Sequence, residues 1–491
     1  MNKLEQVTAW LQKTVPQAKN IRLDSRLVEP GDVFVAVVGH HSDGRNFISK
    51  AIEKGVGAVI AESGVKEQFE VPLLEVSGLN HLVGPIASNF YANPSKKMIG
   101  IAVTGTNGKT STTHWITHIL SNSGISCATV GTIGCQYNGQ SLSSQALTTP
   151  DAVTFQRILS DLALRGCHAF ATEASSIGLE QGRLAGTCLK TALFTNLTRD
   201  HLDYHGSMER YKEAKEILFK WPGLECAVVN MDDPVGAEIK VISQKQGIRV
   251  IPFSRLQINP DWLCAREVQI SSTGMKFVLE WQGKSSLVET SLYGLFNIEN
   301  LLGVAGVALS LNIAFEKVID LLKTCLPPKG RMQSISDLGD PLVIVDYAHT
   351  PDAVAKAIDT LRELAEVRNG RLWIVLGAGG DRDQGKRVLM GEATSKADLA
   401  VLTSDNPRTE DPQRILDQIA EGAPQAIKIL NRAEAIAHVI NCADQSDVIL
   451  IAGKGHEEYQ EIDEVRHYFS DVKEAQKNLI IRKQGQKCQN H

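Results

Sequence analysis

The feature that most constrains this chain is a short β-prone run, Ile99 to Thr104, that leads through Gly105-Thr106-Asn107-Gly108-Lys109-Thr110 into a helical stretch, Thr110 to Leu120. Strand, glycine loop and helix in that order bring backbone N–H groups and a helix N-terminus to one point. That is a cradle for phosphate oxygens, with Lys109 reaching the outer phosphates and the Thr110 hydroxyl suited to Mg²⁺. Val103 stands where the standard G-x-x-x-x-G-K-[ST] loop has its first glycine. A plain glycine turn before a helix is the structural alternative. The flanking strand and helix favour phosphate binding.

The chain has 491 residues, which at about 150 residues per domain suggests roughly three domains. Hydrophobic residues make up 43% and charged residues 22%, and the formal net charge is -5. This balance excludes a fibrous or largely disordered chain and offers no basic excess for nucleic acid or an anionic membrane. No apolar run is long enough to span a bilayer, so membrane insertion is not expected. Residues 1–14 carry Lys3, Glu5 and Lys13 and show no secretory-signal core. Nine cysteines without a Cys-x-x-Cys pair point to reduced thiols and a cytoplasmic location.

Three regions differ in texture. Residues 1–97 hold short apolar runs, Asp32 to Val38 and Ala58 to Ile60, broken at Pro30-Gly31 and Asp43-Gly44, and close on a linker-like Tyr91 to Lys97. Residues 98–328 alternate short buried-type strands with helical stretches, the strands running into Glu173, Asn196 and Asn230. After Leu326-Pro327-Pro328 the same grammar recurs over 329–491, with strands running into Asp346, Gly377, Asp405 and Gly453. The expected class is therefore α/β, with parallel sheets in a central ATPase-type domain and a Rossmann-like C-terminal domain. Ligands of such sheets bind at the carboxyl ends of strands, so each of those residues is a site candidate. The tail after Lys483 reads as polar and frayed.

A strand-end carboxylate such as Glu173 beside a phosphate loop can hold Mg²⁺; alone, it or His201 reads equally as a structural hydrogen-bonder. Lys215, in YKEAKEILF, reads as a solvated lysine on an amphipathic helix. In DYAHTP, Thr350 and Pro351 suit an N-cap and first helical position, which leaves Asp346 and His349 unexplained. Arg382 in GGDRD and Arg408 in DNPR can each fork onto a carboxylate or make a surface salt bridge. Gly453-Lys454-Gly455-His456-Glu457 completes the strand-end set.

TGTNGKT, TNLTRDHLDYHG, VVNMDDP, GLFNIENLL, GRMQ and VDYAHTPDA occur in an order that resembles the Mur ligase family, over essentially the whole chain. These are ATP-dependent amino-acid ligases of peptidoglycan precursor synthesis. DSRLVEPGDVFVAVVGHHSDGRNF is similar to the uridine-diphosphate-binding domain of the member that adds the third peptide residue. GGDRDQGKR and DNPR are similar to the form that adds meso-diaminopimelate. Ile177, Ala378 and Leu147 depart from the residues common in the family, and none of them is one the chemistry needs.

The resemblance implies a UDP-MurNAc-binding domain over 1–97, an ATP-binding domain over 98–328 and an amino-acid-binding domain over 329–491. It implies ATP at Gly105, Thr106, Asn107, Gly108, Lys109, Thr110, Ser111, Asn297, Asn300 and Arg331. Mg²⁺ would lie at Thr110, Glu173, His201 and Lys215, the last as a carbamate, which overrides its reading as a solvated side chain. Leu23, Ser25, His40, His41 and Ser42 would meet the uridine-diphosphate end of UDP-MurNAc-L-Ala-D-Glu. Thr148, Thr149, Ser175, Gln181 and Arg183 would meet its dipeptide. Arg382, Asp405, Asn406, Pro407, Arg408, Gly453 and Glu457 would receive diaminopimelate, and Asp346 and His349 would serve the chemistry. The implied enzyme is a monomer that forms an amide through an acyl phosphate. The alternatives are a lysine-adding or folylpolyglutamate-type relative, or a nucleotide-driven switch. Against the switch, no apolar run ending in Asp follows the phosphate loop in the manner of a Walker-B strand.

Overall fold

The computed structural model describes residues 2–39, 42–143, 147–271, 273–337 and 339–489. The chain divides into two compact units. One holds Met1–Ala265, Leu279–Ser285 and Glu299–Leu321, and the other Arg266–Val278, Ser286–Ile298 and Leu322–His491.

The first unit begins with a parallel sheet in the order β1 (Ile21–Arg22), β2 (Val33–Ala36), β3 (Ala58–Glu62), β4 (Leu73–Val76). Alternation sends Val33, Val35 and Ile60 into one core and Phe34, Ala36, Val59 and Ala61 into another, which is why these strands read as continuous apolar runs. The expected linker at Tyr91 to Lys97 is instead packed. Pro94 and Ser95 are buried in a 3₁₀ turn, and the Ser95 hydroxyl accepts from the Cys188 amide.

The next strands are β5 (Ile99–Thr104), β6 (Cys127–Gly131), β7 (Gly134–Tyr137), β8 (Gln140–Ser143), β9 (Ala169–Glu173), β10 (Thr191–Phe194), β11 (Cys226–Asn230) and β12 (Arg249–Ser254). They lie in the order β12-β11-β10-β5-β9-β6-β7-β8, parallel as far as β6 and antiparallel from β6 to β8. A meander of β13 (Leu263–Ser271), β14 (Gly274–Trp281) and β15 (Lys284–Thr290) follows, its residues divided between the two units. In register, Val103 of β5 faces Glu173 of β9, and Thr104 faces Phe194 of β10. The phosphate loop therefore leaves the middle of the sheet, flanked by the carboxyl ends of the strands on both sides.

The second unit carries β16 (Gln333–Ser334), β17 (Leu342–Asp346), β18 (Leu372–Leu376), β19 (Leu399–Leu402), β20 (Ile427–Lys428) and β21 (Val448–Ala452), in the order β16-β17-β21-β18-β19-β20. Only β16 is antiparallel. Leu342, Ile344, Leu372, Ile374 and Leu450 enter one core, while Val343, Val345, Trp373, Val375 and Ile449 enter the other. Both faces are covered by helices, the arrangement a doubly wound sheet requires. β22 (Tyr459–Ile462) and β23 (Val465–Tyr468) form a hairpin. The final helix runs Asp471–Gln489, past Lys483. Among the described residues no helix is long and apolar enough to cross a membrane.

Candidate active site

The helix after the phosphate loop spans Lys109–Asn122, with Gly108 at its N-cap in the left-handed region (φ 86°). A side chain at Gly108 would strike the Asn300 amide, and one at Gly105 (φ 150°) the Thr195 hydroxyl, so both glycines are required by conformation and by contact. The Lys109 ammonium spans the loop, donating to the carbonyls of Gly105 (2.9 Å) and Thr106 (2.8 Å). The loop is clamped by the segment after β10. Asn107 N–H donates to Asn196 Oδ1 (3.0 Å), Thr106 N–H to the Asn196 carbonyl (2.8 Å), and Thr195 Oγ1 to the Asn107 carbonyl (2.7 Å). Ser111 follows in the first turn of the helix.

Glu173, at the end of β9, is buried. Its carboxylate accepts from Thr110 Oγ1 (3.0 Å), Thr132 N–H (2.8 Å) and Thr132 Oγ1 (3.2 Å). All these donors are neutral, and among the described residues no cation pairs with this carboxylate. A buried anion without a counter-charge, touching the threonine of a phosphate loop, fits a divalent cation. Glu173 thus lies at the end of the strand next to the one that leads into the loop.

The expected dipeptide-binding residues gather around Glu173. Thr132 Oγ1, its proton on Glu173, lies 3.2 Å from Thr148 Oγ1 and can accept from it, and Thr149 Oγ1 donates to the Glu173 carbonyl (2.8 Å). Thr149 Oγ1 also shares a bond with Ser175 Oγ (3.0 Å). Arg183 donates to the Thr149 carbonyl (2.9 Å) and, from Nε and Nη2, to Gln181 Oε1 (3.0 and 2.7 Å). Gln181 in turn donates to the Tyr204 hydroxyl (3.1 Å). Burial holds the Arg183 guanidinium below its usual range, with Asp151 and Tyr204 pulling the other way.

Lys215 lies in the helix Met208–Glu216 and is buried, not solvated. Its Nζ sits 4.4 Å from the Tyr211 ring centroid. Burial, reinforced by Lys109, keeps its amine far below the ordinary lysine range, while Asp200 pulls upward. Tyr211 was not foreseen. Its hydroxyl meets Thr106 Oγ1 (3.1 Å), so one ring joins the phosphate loop to Lys215. His201 is half exposed, at φ 51°, with its ring edge-on to Tyr211 (6.2 Å) and Nε2 3.6 Å from Asp200 Oδ2. No hydrogen bond or ion pair joins it to Glu173. Among the described residues no three His, Cys, Asp or Glu side chains are grouped to hold a metal.

Of the residues assigned to the uridine diphosphate, Leu23 packs against the first core, Ser25 is buried, and the Ser42 carbonyl accepts from Gly39 N–H (2.9 Å). His40 and His41 lie outside the described residues.

In the second unit Asp346, at the end of β17, accepts from the amides of Met332 (2.7 Å) and Ala348 (2.8 Å). Loss of water around it raises its carboxyl above the usual range, against the pull of Arg331 and those amides. The Arg331 guanidinium lies over the Tyr347 ring (4.7 Å), and Tyr347 also stacks near His349 (4.6 Å) and His456 (5.1 Å). His349 Nδ1 donates to the Tyr347 carbonyl (2.7 Å). Burial, together with Arg331, lowers His456 to about 4. Asn297 is buried and donates to the Tyr293 carbonyl (2.7 Å). Thr350 caps the helix Pro351–Arg368 as expected.

The GGDRD and DNPR loops meet. Gly380 N–H donates to the Asn406 carbonyl (2.9 Å), Arg408 Nη1 to the Gly380 carbonyl (2.6 Å), and Thr409 Oγ1 to Asp381 (2.9 Å). Arg408 Nε forms a long ion pair with Glu461 Oε1 (4.0 Å), and among the described residues neither Nε nor Nη2 makes a hydrogen bond. Arg382 is exposed, and Pro407 is buried between Asn406 and Arg408. Asn406 is more committed than its sequence context suggests, since its amide already donates to Glu457 (2.9 Å). Buried Arg387 pairs with the partly exposed Glu410 (2.8 Å), whose Oε1 also accepts from Asp381 N–H, a link that was also unforeseen.

A family model described as "Mur ligase middle domain" matches residues 103–308, "Mur ligase, glutamate ligase domain" matches 330–455, and "Mur ligase family, catalytic domain" matches 17–91. The UDP-N-acetylmuramoyl-L-alanyl-D-glutamate–2,6-diaminopimelate ligase of Ralstonia nicotianae is 44% identical over 498 residues, 98% of this chain and 96% of the relative. The ligase of the same name from Pseudomonas aeruginosa is 43% identical over 482 residues, 96% of this chain and 98% of the relative. A solved structure of a protein with that name is 36% identical, covers 96% of this chain and 99% of its own, and superposes with a TM-score of 0.69.

Proposed function

The chain belongs to the Mur ligase family, and on that premise we propose that it joins meso-2,6-diaminopimelate to the D-Glu γ-carboxylate of UDP-MurNAc-L-Ala-D-Glu at the expense of ATP. The observation that carries this reading is the single network around Glu173. The phosphate-loop threonine and the residues suited to a dipeptide carboxylate converge on it from neighbouring strand ends.

A γ-carboxylate oxygen attacks the γ-phosphorus of ATP, ADP leaves, and an acyl phosphate forms. The diaminopimelate amine then attacks the acyl carbon, phosphate leaves, and the amine nitrogen gives up a proton as the amide forms. Bringing an anionic phosphate to an anionic carboxylate is the main electrostatic obstacle. Lys109 and the loop amides hold the phosphates, and Arg183 with Thr149 and Ser175 orients the dipeptide. Thr110, Glu173, His201 and Lys215, as a carbamate, would hold Mg²⁺, which screens that repulsion when bound. The buried, depressed amine of Lys215 supports carbamate formation, because only a neutral amine adds CO₂. Asn297, Asn300 and Arg331 hold the nucleotide. Asp346 anchors the backbone beneath Arg331, and His349, its Nδ1 on the Tyr347 carbonyl, stands beside it. We assign 1–97 to the uridine nucleotide, 98–328 to ATP and 329–491 to the amino acid, in a monomer working in the cytoplasm, in keeping with the eight free cysteines described.

Lysine addition is the second reading. The Nε–Nη2 edge of Arg408 disfavours it, because lysine has no distal carboxylate for that fork. The test incubates the protein with ATP, UDP-MurNAc-L-Ala-D-Glu and either amino acid, and follows ADP release and product mass. ADP release that depends on both acceptor and diaminopimelate, with a product heavier by one diaminopimelate residue, is expected. ADP release without an amino acid, or preference for lysine, overturns the assignment.

A further inference from the structure

Lys454 is fully buried at the carboxyl end of β21, and its ammonium has three oxygen partners. They are Asn406 Oδ1 (2.9 Å), Glu457 Oε2 (3.2 Å) and Asp405 Oδ1 (3.4 Å). An ammonium has three N–H donors, so each has an acceptor. The stem passes the Tyr459 ring, with Nζ 5.4 Å from its centroid. Three residues suited to receive the amino acid are thus tied to one cation that the substrate itself need not touch.

The arrangement is self-consistent in detail. Asn406 Oδ1 also accepts from Glu461 N–H (3.0 Å), and its Nδ2 donates to Glu457 Oε2 (2.9 Å). Flipping that amide would set an NH₂ group against an ammonium and an N–H, and an oxygen against a carboxylate, so Lys454 fixes its orientation. Glu457 Oε2 takes both donors, which leaves Oε1 for an incoming ammonium. Asp405 Oδ2 reaches so close to Gly453 that a Cβ there would lie 2.6 Å away.

Charge is the second consequence. Asp405 and Glu457 are two carboxylates bonded to one buried ammonium, with the buried Arg432, its own charge paired with Asp471, farther off. Without Lys454 the cluster would carry one more negative charge, unpaired and poorly hydrated. The distal end of diaminopimelate is an ammonium beside a carboxylate and is neutral overall. The distal end of lysine is an ammonium alone. An added negative charge repels the carboxylate and attracts the bare ammonium, so it erodes discrimination between the two.

We propose that Lys454 is a positioning and specificity-determining residue of the amino-acid pocket: it orients Asn406 and Glu457 and sets the pocket's charge so that a distal carboxylate is accepted. This rests on the assignment of diaminopimelate as substrate. The variant Lys454→Met keeps the unbranched stem and removes the charge. Kinetics with each amino acid, a competition between the two read by product mass, and thermal melting of the variant form the test. Loss of a buried charge partner should raise the KM for diaminopimelate by about 30-fold or more and lower the diaminopimelate-to-lysine ratio by about tenfold or more, with the KM for ATP within about twofold of wild type.

A merely structural lysine would instead lower use of both amino acids by one common factor, and that result overturns the proposal. An unchanged KM for diaminopimelate does the same. If Lys454→Met does not fold, Lys454→Arg decides: retained preference with a raised KM supports the proposal, and a wild-type KM refutes it. If wild type itself forms no diaminopimelate product, the reaction assignment fails and the proposal with it. Wild-type turnover beside an unaffected variant removes the Lys454 inference alone.

Discussion

Gly131 closes β6 directly beneath the Glu173 carboxylate, and replacing it by alanine tests whether that carboxylate must sit where it does. The added Cβ would lie 2.2 Å from Glu173 Oε1 and 2.7 Å from both Cγ and Cδ. Normal packing separations require a retreat of about 1 Å. The bond from Thr132 N–H to Oε1, now 2.8 Å, would then stretch beyond hydrogen-bond range. A hydrogen bond to a charged group is worth about 1.5–3 kcal/mol, so Gly131→Ala should destabilise the protein by about 2 kcal/mol. A displacement of about 1 Å at the reacting centre should also cost about 10²-fold in kcat. Glu173→Gln is the control. The amide oxygen can accept from Thr132 N–H, and the hydroxyls of Thr110 and Thr132 can rotate to accept from the NH₂. Stability should stay within about 1 kcal/mol of wild type while activity falls, because shape is kept and charge is lost. Urea denaturation and steady-state ligation on both variants supply the two readouts. Wild-type kcat and an unshifted midpoint for Gly131→Ala would refute the placement of Glu173 and the role drawn from it.

Lys109→Ala should lower ligation by at least about 10²-fold with the melting temperature little changed, since its partners are loop carbonyls; near-normal turnover at saturating ATP would remove it from the phosphate site. Lys215 should carry a carbamate in active protein, visible as added mass in intact native spectra and lost on CO₂ depletion together with activity; a bare amine in fully active protein would end that idea. Arg408→Ala should weaken diaminopimelate use by about 10- to 100-fold, mainly in KM, as kinetics with varied amino acid will show. The Arg387 guanidinium holds the Glu410 carboxyl down to about 2 from an ordinary 4.5. A depressed carboxyl contributes stability that is complete above its unfolded value and is lost as pH falls from about 4.5 to about 2, here about 1 kcal/mol once solvent screening of this partly exposed carboxylate is allowed for. Glu410→Gln should flatten that part of the acid-unfolding profile, and an unchanged profile would mean the pair contributes nothing.

The sequence by itself determined the local grammar. Ile99–Thr104 is a strand with the bounds read from the sequence, and strands do run into Gly377 and Gly453, because a strand buried on both faces is written as a mostly apolar run. It also placed the phosphate loop, since strand, glycine turn and helix N-terminus are neighbours in the chain. The strand-end rule marked Glu173, Asp346 and Asp405 before any partner was known. What it could not supply was burial and partnership across long separations. Lys215 has the helical pattern of a solvated lysine, yet packing closes over it and Tyr211 covers its amine. Lys454 and Asn406 are 48 residues apart, and their bond exists only because β21 and β19 deliver their ends to one place. A residue's type and period state which face of its own element it occupies. Whether that face meets water, a ring or a carboxylate is decided by which distant segments the sheet order brings alongside, and only the folded chain contains that order.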